Sequence, residues 1–398
     1  MSAPRGAVGD QASRVEAAGH PAARLWFIDN LRWVMIILVL SMHAADTYSP
    51  LGNWYFVDRR PIGLPTLAFF AGWQMFLQSF FMGLLFFVAG CFVPASLDRK
   101  GPRRFLRDRL VRLGLPVLLY MLVIGPVTEY YAAHSWNSTL PTSFGHEWVK
   151  HIANGQVWQE NGPLWFCLAL LVFSAAYVGL TAAFPARFGR ATSVRPLPRP
   201  SWLVAFSALM AVTTFAVRVF NPPTVLNLPL RDFGQYILLF GAGIMAARGG
   251  WLTHLRAQPS FLPLAATMVG GLAVLFALLE AGGFAKGNGG SYYGGAHWQS
   301  AAFALWESSV CVVMGVVLLS LFRGRFDRQG SSARFMSDNA FAVYTIHPPI
   351  LIMSARLIQP LQWQSLAMFG TLWTLAAIGS FASSALVFRR LPLLSRIL

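Results

Sequence analysis

An aspartate, an arginine and a histidine fall within one apolar stretch near the N-terminus, at Asp29, Arg32 and His43. At about 100° per residue, the path from Arg32 to His43 makes about three helical turns. Both side chains then share one face, about 16 Å apart along the axis. Asp29 lies one turn before Arg32 and can pair with it at i,i+3. One face would thus carry a guanidinium near a helix entrance and an imidazole deep in apolar sequence. Ionisable groups are costly to bury in a membrane, which marks them as functional candidates. An imidazole also exchanges a proton near neutral pH, as a general base must. The competing reading is a histidine hydrogen-bonded to a neighbouring helix, with an arginine at the entrance of its own.

Further candidates lie downstream. The segment from Arg99 to Arg112 is dense in arginine and lysine, and Arg109 and Arg112 adjoin the next apolar run. Guanidinium groups there could hold a polyphosphate ligand, although such clusters also arise from membrane topology and attraction to anionic lipid. Trp165 opens another run, where alone it reads as an interfacial anchor. Asn339, Tyr344 and His347 precede Pro348 and Pro349, a pair expected to kink or break the helix; polar packing is the alternative role for this trio. Glu307 sits within an apolar run, where a carboxylate must be paired, neutral or facing water. Glu129, Tyr130 and Glu280 lie near run ends and call for no special role. The glycine-rich stretch around Lys286 lacks the Lys-Ser/Thr ending of a phosphate loop. Asn137-Ser138-Thr139 is a formal glycosylation acceptor. The histidines are scattered, with no ligand spacing for a metal.

The elements that must position these residues follow from composition. The chain has 398 residues, 56% hydrophobic and 12% charged, with a mean hydropathy of +0.53. Soluble domains carry about 25% charged residues. Ten apolar runs recur: Leu31 to Tyr48, Leu67 to Val93, Leu113 to Ala132, Leu164 to Phe184 and Trp202 to Phe220, then Phe233 to Ala247, Phe261 to Leu279, Ala301 to Phe322, Phe335 to Met353 and Leu366 to Phe388. Several meet the requirement of about 20 residues for spanning hydrocarbon; the sixth is short. The net charge of +16 comes from basic residues gathered at the ends of these runs, a topology signal rather than a nucleic-acid surface. Of the 31 Lys and Arg, 24 fall on one side of an alternating topology, which the positive-inside rule assigns to the cytoplasm. Trp33, Tyr48, Trp54, Trp202 and Trp298 sit near run ends, as interfacial anchors do. Cys91, Cys167 and Cys311 lie inside runs and read as small buried hydrophobes. The expected protein is all-α: a polytopic membrane helical bundle of about ten transmembrane helices with both termini cytoplasmic. Residues 1–24 form a disordered tail without signal-peptide character, and 25–398 a single membrane domain.

Taken in order, these pieces resemble the acyltransferase 3 family of integral membrane O-acyltransferases. The resemblance runs from Phe27 to the tail. It includes Asp29-Asn-Leu-Arg32, the Arg-x10-His pair ending in His43, Phe86-Phe-Val-Ala-Gly90 and the basic loop closing on Arg112-Leu-Gly-Leu-Pro116. It continues through Leu164-Trp165-Phe166, Tyr344-Thr-Ile-His347-Pro348 and Arg390-Leu-Pro392. The family implies an acyl-coenzyme A co-substrate on the cytoplasmic side, no metal, and a hydroxylated acceptor, usually a glycan, reached from the other side of the inner membrane. His43 would be the central catalytic residue and Arg32, held by Asp29, would contact the donor or orient the site. Arg109 and Arg112 would bind the donor, with Glu307, His347, Trp165, Asn339 and Tyr344 in support. Some members carry an extracytoplasmic hydrolase-like domain for which this chain has no room, so an outer partner protein could finish the transfer. Two rivals make other predictions. A glycan or lipid exporter requires discontinuous helices near midplane, and a structural scaffold leaves Arg32, His43 and Glu307 without purpose.

Overall fold

The computed structural model describes residues 24–52, 54–58, 60–133, 143–188 and 195–391. Among them each apolar run is helical, because hydrocarbon offers no partner to a backbone N–H or C=O and a helix satisfies both internally. The principal helices are α1 (Trp26–Tyr48), α2 (Leu64–Lys100), α3 (Pro102–Ala133), α4 (Phe144–Ala153), α5 (Trp165–Ala183) and α6 (Pro200–Phe220). They continue with α7 (Phe233–Arg248), α8 (Leu262–Ala281), α9 (Trp298–Arg325), α10 (Ser331–Ile358) and α11 (Ser365–Leu386). Large apolar side chains such as Val204, Leu262 and Val269 are exposed, as a lipid-facing surface requires. The protein is an all-α polytopic membrane bundle.

Nine described helical stretches are long and apolar enough to cross a membrane. The sixth run, α7, has 16 residues, about 24 Å against the roughly 30 Å of hydrocarbon. It nevertheless traverses the bundle. At its start Asp232 accepts from Arg218 of α6 at 3.0 Å, and at its end Arg248 binds Asp98 near the far terminus of α2. Its hold on α2 is made by glycines. A Cβ on Gly90 would strike the carbonyl oxygen of Phe240, and one on Gly243 that of Phe87. Close backbone approach through small residues is the usual adhesive between membrane helices. With α7 the crossings number ten among the described residues.

α2 is 37 residues long, about 55 Å, and carries Arg99 and Lys100 beyond the hydrocarbon. A single residue, Gly101 at φ +73°, turns the chain into α3, a backbone region that glycine enters without strain. α3 holds two π-helical turns, Leu110–Gly114 and Tyr120–Ile124, preceding Pro116 and Pro126. Proline has no N–H to offer the carbonyl four residues back, so the ladder shifts register and the helix widens.

The centre of the bundle is α1, which packs against α2, α9, α10 and α11. Phe27, Leu31 and Leu40 of α1 are wholly enclosed with Phe86 of α2. Two sequence expectations change here. Pro348 and Pro349 do not break their helix, since α10 runs through both. Trp54 is not an interfacial anchor but lies over His43. The expectations for residues 1–23, for Asn137-Ser138-Thr139 and for Pro392 fall outside the described residues. The three cysteines are buried and free.

Candidate active site

His43 owes its place to α1, the helix with neighbours on every side. One turn further on, Asp46 brings Oδ2 to 3.1 Å from His43 Nδ1. The other carboxylate oxygen, Oδ1, accepts from Gln74 Nε2 of α2 at 2.7 Å. A carboxylate can only accept, so Nδ1 carries the hydrogen and Nε2 keeps its lone pair. That is the orientation of a general base backed by a carboxylate.

Two further rings stack with it. The Trp54 indole lies parallel to the His43 ring with centroids 3.7 Å apart. On α10 the His347 ring is 5.4 Å from His43, at 12° to it. His347 is fully buried, and its tautomer is set by the prolines after it. Pro348 cannot donate to the carbonyl of Tyr344, four residues back, so that oxygen is released from the helical ladder. His347 Nδ1 takes it at 2.8 Å. Nδ1 is therefore the protonated nitrogen, and Nε2 is left buried without a partner.

Towards the ends of α2 and α10 that carry Arg99 and Arg334, a cavity of about 530 Å³ penetrates the bundle. Arg32, Arg99, Lys100, Arg109 and Arg112 line it, with Asp108 as the one carboxylate. Ile36, Leu113, Phe166 and Tyr344 line it too. It adjoins a second, open groove lined by Arg103, Arg104 and Arg107, with which it shares Asp108 and Arg112. Tyr344 links the cavity to the histidines: its ring is 6.1 Å from that of His347 and its hydroxyl donates to the carbonyl of Pro163. The arrangement is a cationic mouth, an apolar throat and an imidazole pair just past the far wall. Its volume lies within the range of small-molecule sites.

The structure thus brings Arg32, Arg109, Arg112 and Tyr344 onto one cavity and sets His43 and His347 together beyond it. Asp29 lies 3.9 Å from Arg32 and is also bound by Arg24 at 2.8 Å. The other candidates stand apart. Glu307 is paired with Arg218 at 2.9 Å, in a buried cluster with Asp232 and away from both histidines. Asn339 accepts from Ser384 Oγ at 2.8 Å and so ties α10 to α11. Trp165 stacks on Tyr236 with centroids 5.7 Å apart, while its neighbour Phe166 lines the cavity. Three residues at the histidine were missed in the sequence: Asp46, Gln74 and Trp54. Only Asp46 left a signal there, its i,i+3 spacing from His43.

The chain is similar to known proteins over most of its length. A family model described as an acyltransferase domain, of the acyltransferase 3 type, matches residues 25–389. "Glucans biosynthesis protein C" of Salmonella gallinarum is 23% identical over 354 residues, 85% of each chain. The proteins of that name from Salmonella paratyphi B and Salmonella heidelberg are each 22% identical, again over 85% of both chains.

Proposed function

We propose, from the premise that this chain belongs to the acyltransferase 3 family, that it moves an acyl group from acyl-coenzyme A to a hydroxyl of a glucan or related envelope glycan. The chain is an acyltransferase of the multi-pass membrane class; the donor, the acceptor and the sidedness are our reading. The observation that carries it is the cavity whose cationic mouth leads to Tyr344 and, one ring further, to His347 and His43. Coenzyme A has that same pattern, a phosphate-rich end and a slender arm ending in the thioester. Arg32, Arg109 and Arg112 hold phosphate oxygens, with the groove of Arg103, Arg104 and Arg107 beside them for the nucleotide end. Because 24 of 31 basic residues share this side, the mouth faces the cytoplasm of the inner membrane. The glucan acceptor follows from the printed name of the relatives.

At the reacting centre His43 Nε2 removes the proton of the acceptor hydroxyl as its oxygen attacks the thioester carbonyl. The resulting imidazolium is stabilised by Asp46 through the Nδ1 hydrogen bond. As the tetrahedral intermediate collapses, the carbon–sulfur bond breaks and the same proton passes from Nε2 to the sulfur, giving the ester and free coenzyme A. In the alternative order Nε2 itself first takes the acyl group, then yields it to the hydroxyl. Trp54 Nε1–H, buried without a partner, is an unused donor beside the imidazole for the developing oxyanion.

The test is acyl transfer from radiolabelled acyl-coenzyme A to glucan in membrane vesicles. His43→Ala is expected to abolish transfer at unchanged membrane abundance. Wild-type product levels from that variant would remove the catalytic assignment.

A further inference from the structure

A polar array lies at the opposite end of the bundle from the arginine mouth, and the chemistry above does not use it. Its residues come from three segments. Tyr55 belongs to the connection between α1 and α2, Tyr120 and Glu129 to the second half of α3, and His151 and Glu160 to the stretch between α3 and α5. The Tyr55 and Tyr120 hydroxyls are 3.1 Å apart. Glu160 stands close enough to Glu129 for the two carboxyls to interact. His151 brings Nδ1 to 3.1 Å from Glu129 Oε2. The array adjoins the catalytic rings, since Tyr55 follows Trp54 and meets it edge to face at 5.0 Å.

Two polar atoms of this region are buried without a hydrogen-bond partner. His151 is 4% exposed, yet its Nε2 has no partner. Asn161, fully buried next to Glu160, leaves Oδ1 equally unpaired. Buried polar atoms in that condition cost about 1–3 kcal/mol each unless something binds them. Burial holds the His151 imidazole below its ordinary pKa, so it stands beside Glu129 as a neutral ring. Trp158, two residues before Glu160, is 62% exposed.

We propose that Glu129, Glu160, His151 and the Tyr55–Tyr120 pair form the acceptor subsite, and that it takes an uncharged sugar unit, presenting one hydroxyl past Trp54 to His43. This rests on the acyl-transfer reading above and names the substrate class of the same site. Two carboxyls repel a phosphorylated or carboxylated ligand. Among the described residues no three His, Cys, Asp or Glu are placed to hold a metal ion, which leaves hydrogen-bonding chemistry. Neighbouring sugar hydroxyls both donate and accept, matching a mixed set of carboxyl, phenol and imidazole groups. The apolar face of a pyranose suits the rings of Trp54, Tyr55 and Trp158. Position supports the same conclusion: the array approaches His43 from the side that the donor cavity leaves free.

The experiment measures transfer from acyl-coenzyme A to a glucose oligosaccharide by the purified full chain, with coenzyme A binding followed by calorimetry. Glu129→Gln and Glu160→Gln keep size and remove charge. Each is expected to raise the KM for the oligosaccharide about 10- to 100-fold with coenzyme A affinity unchanged. Tyr55→Phe removes a single hydroxyl and is expected to raise the same KM several-fold, which keeps the test open if a glutamine variant fails to reach the membrane. Oligosaccharide KM values within twofold of wild type in the folded variants would overturn the subsite and leave the acyl-transfer reading standing. A wild-type protein that neither binds coenzyme A nor transfers the acyl group would overturn that reading and the subsite with it.

Discussion

Replacing Asp46 by asparagine keeps the shape of the His43 clamp but halves its accepting capacity. In the native arrangement one carboxylate oxygen serves His43 Nδ1 at 3.1 Å and the other serves Gln74 Nε2 at 2.7 Å. An asparagine has only one oxygen. If Gln74 claims it, the amide –NH₂ faces Nδ1, which must then accept. The proton moves to Nε2 and the base is lost. Turning the amide the other way sets –NH₂ against the Gln74 –NH₂ group unless Gln74 also rotates. That rotation points its buried Oε1, now unpaired, at the amide but orphans its own –NH₂. That leaves the number of hydrogen bonds unchanged, so the penalty is the lost charge beside the imidazolium, about 1.5–3 kcal/mol. The rate should therefore fall about 10- to 10²-fold at 1.36 kcal/mol per decade. The assay is single-turnover acyl transfer in vesicles, normalised to protein abundance. Asp46→Asn within about threefold of wild type would refute the clamp.

Arg109→Ala and Arg112→Ala each remove a guanidinium from the cavity mouth and should raise the KM for acyl-coenzyme A about tenfold or more, leaving the acceptor KM in place; steady-state kinetics against both substrates check this. Gly243→Ala drives a methyl into the carbonyl of Phe87, so α7 should separate from α2 and membrane abundance should fall, whereas Gly270→Ala meets open space and should be neutral on the same blot. Arg218→Ala strands Glu307 and Asp232 without their cation and should cost about 3–5 kcal/mol, read as a lowered melting temperature in detergent; adding Glu307→Gln should recover part of it. Trp54→Ala removes both the ring stacked on His43 and the donor for the oxyanion, and should slow transfer about 10²- to 10³-fold without weakening coenzyme A binding.

Sequence periodicity located the helices because hydrocarbon allows little else. It also placed Arg32 and His43 on a common helix face, which depends on local geometry alone. What it missed depends on tertiary contact. Gln74 reaches Asp46 from another helix, and Trp54, close to a run end, looked like one more interfacial aromatic. Glu307 read as an ambiguous buried carboxylate because its partner, Arg218, lies 89 residues away on another helix. The shortness of α7 was visible as a weak span; what compensates for it, glycine backbones laid against α2, was not. The prolines after His347 misled for a related reason. They were expected to kink or break the helix, but the released carbonyl finds an imidazole and the helix continues.

That last feature ties the protonation pattern of the ring stacked near His43 to a covalent property of the main chain. Tyr344 oxygen serves the His347 imidazole without an amide hydrogen at residue 348 to share it. Alanine at 348 would straighten nothing visible, yet it would supply a rival donor at the spot that Nδ1 now occupies. The carbonyl would then serve two donors, and its hold on Nδ1 would loosen. A residue usually counted as a helix breaker acts here as a tautomer lock, and its influence on turnover should exceed its influence on folding.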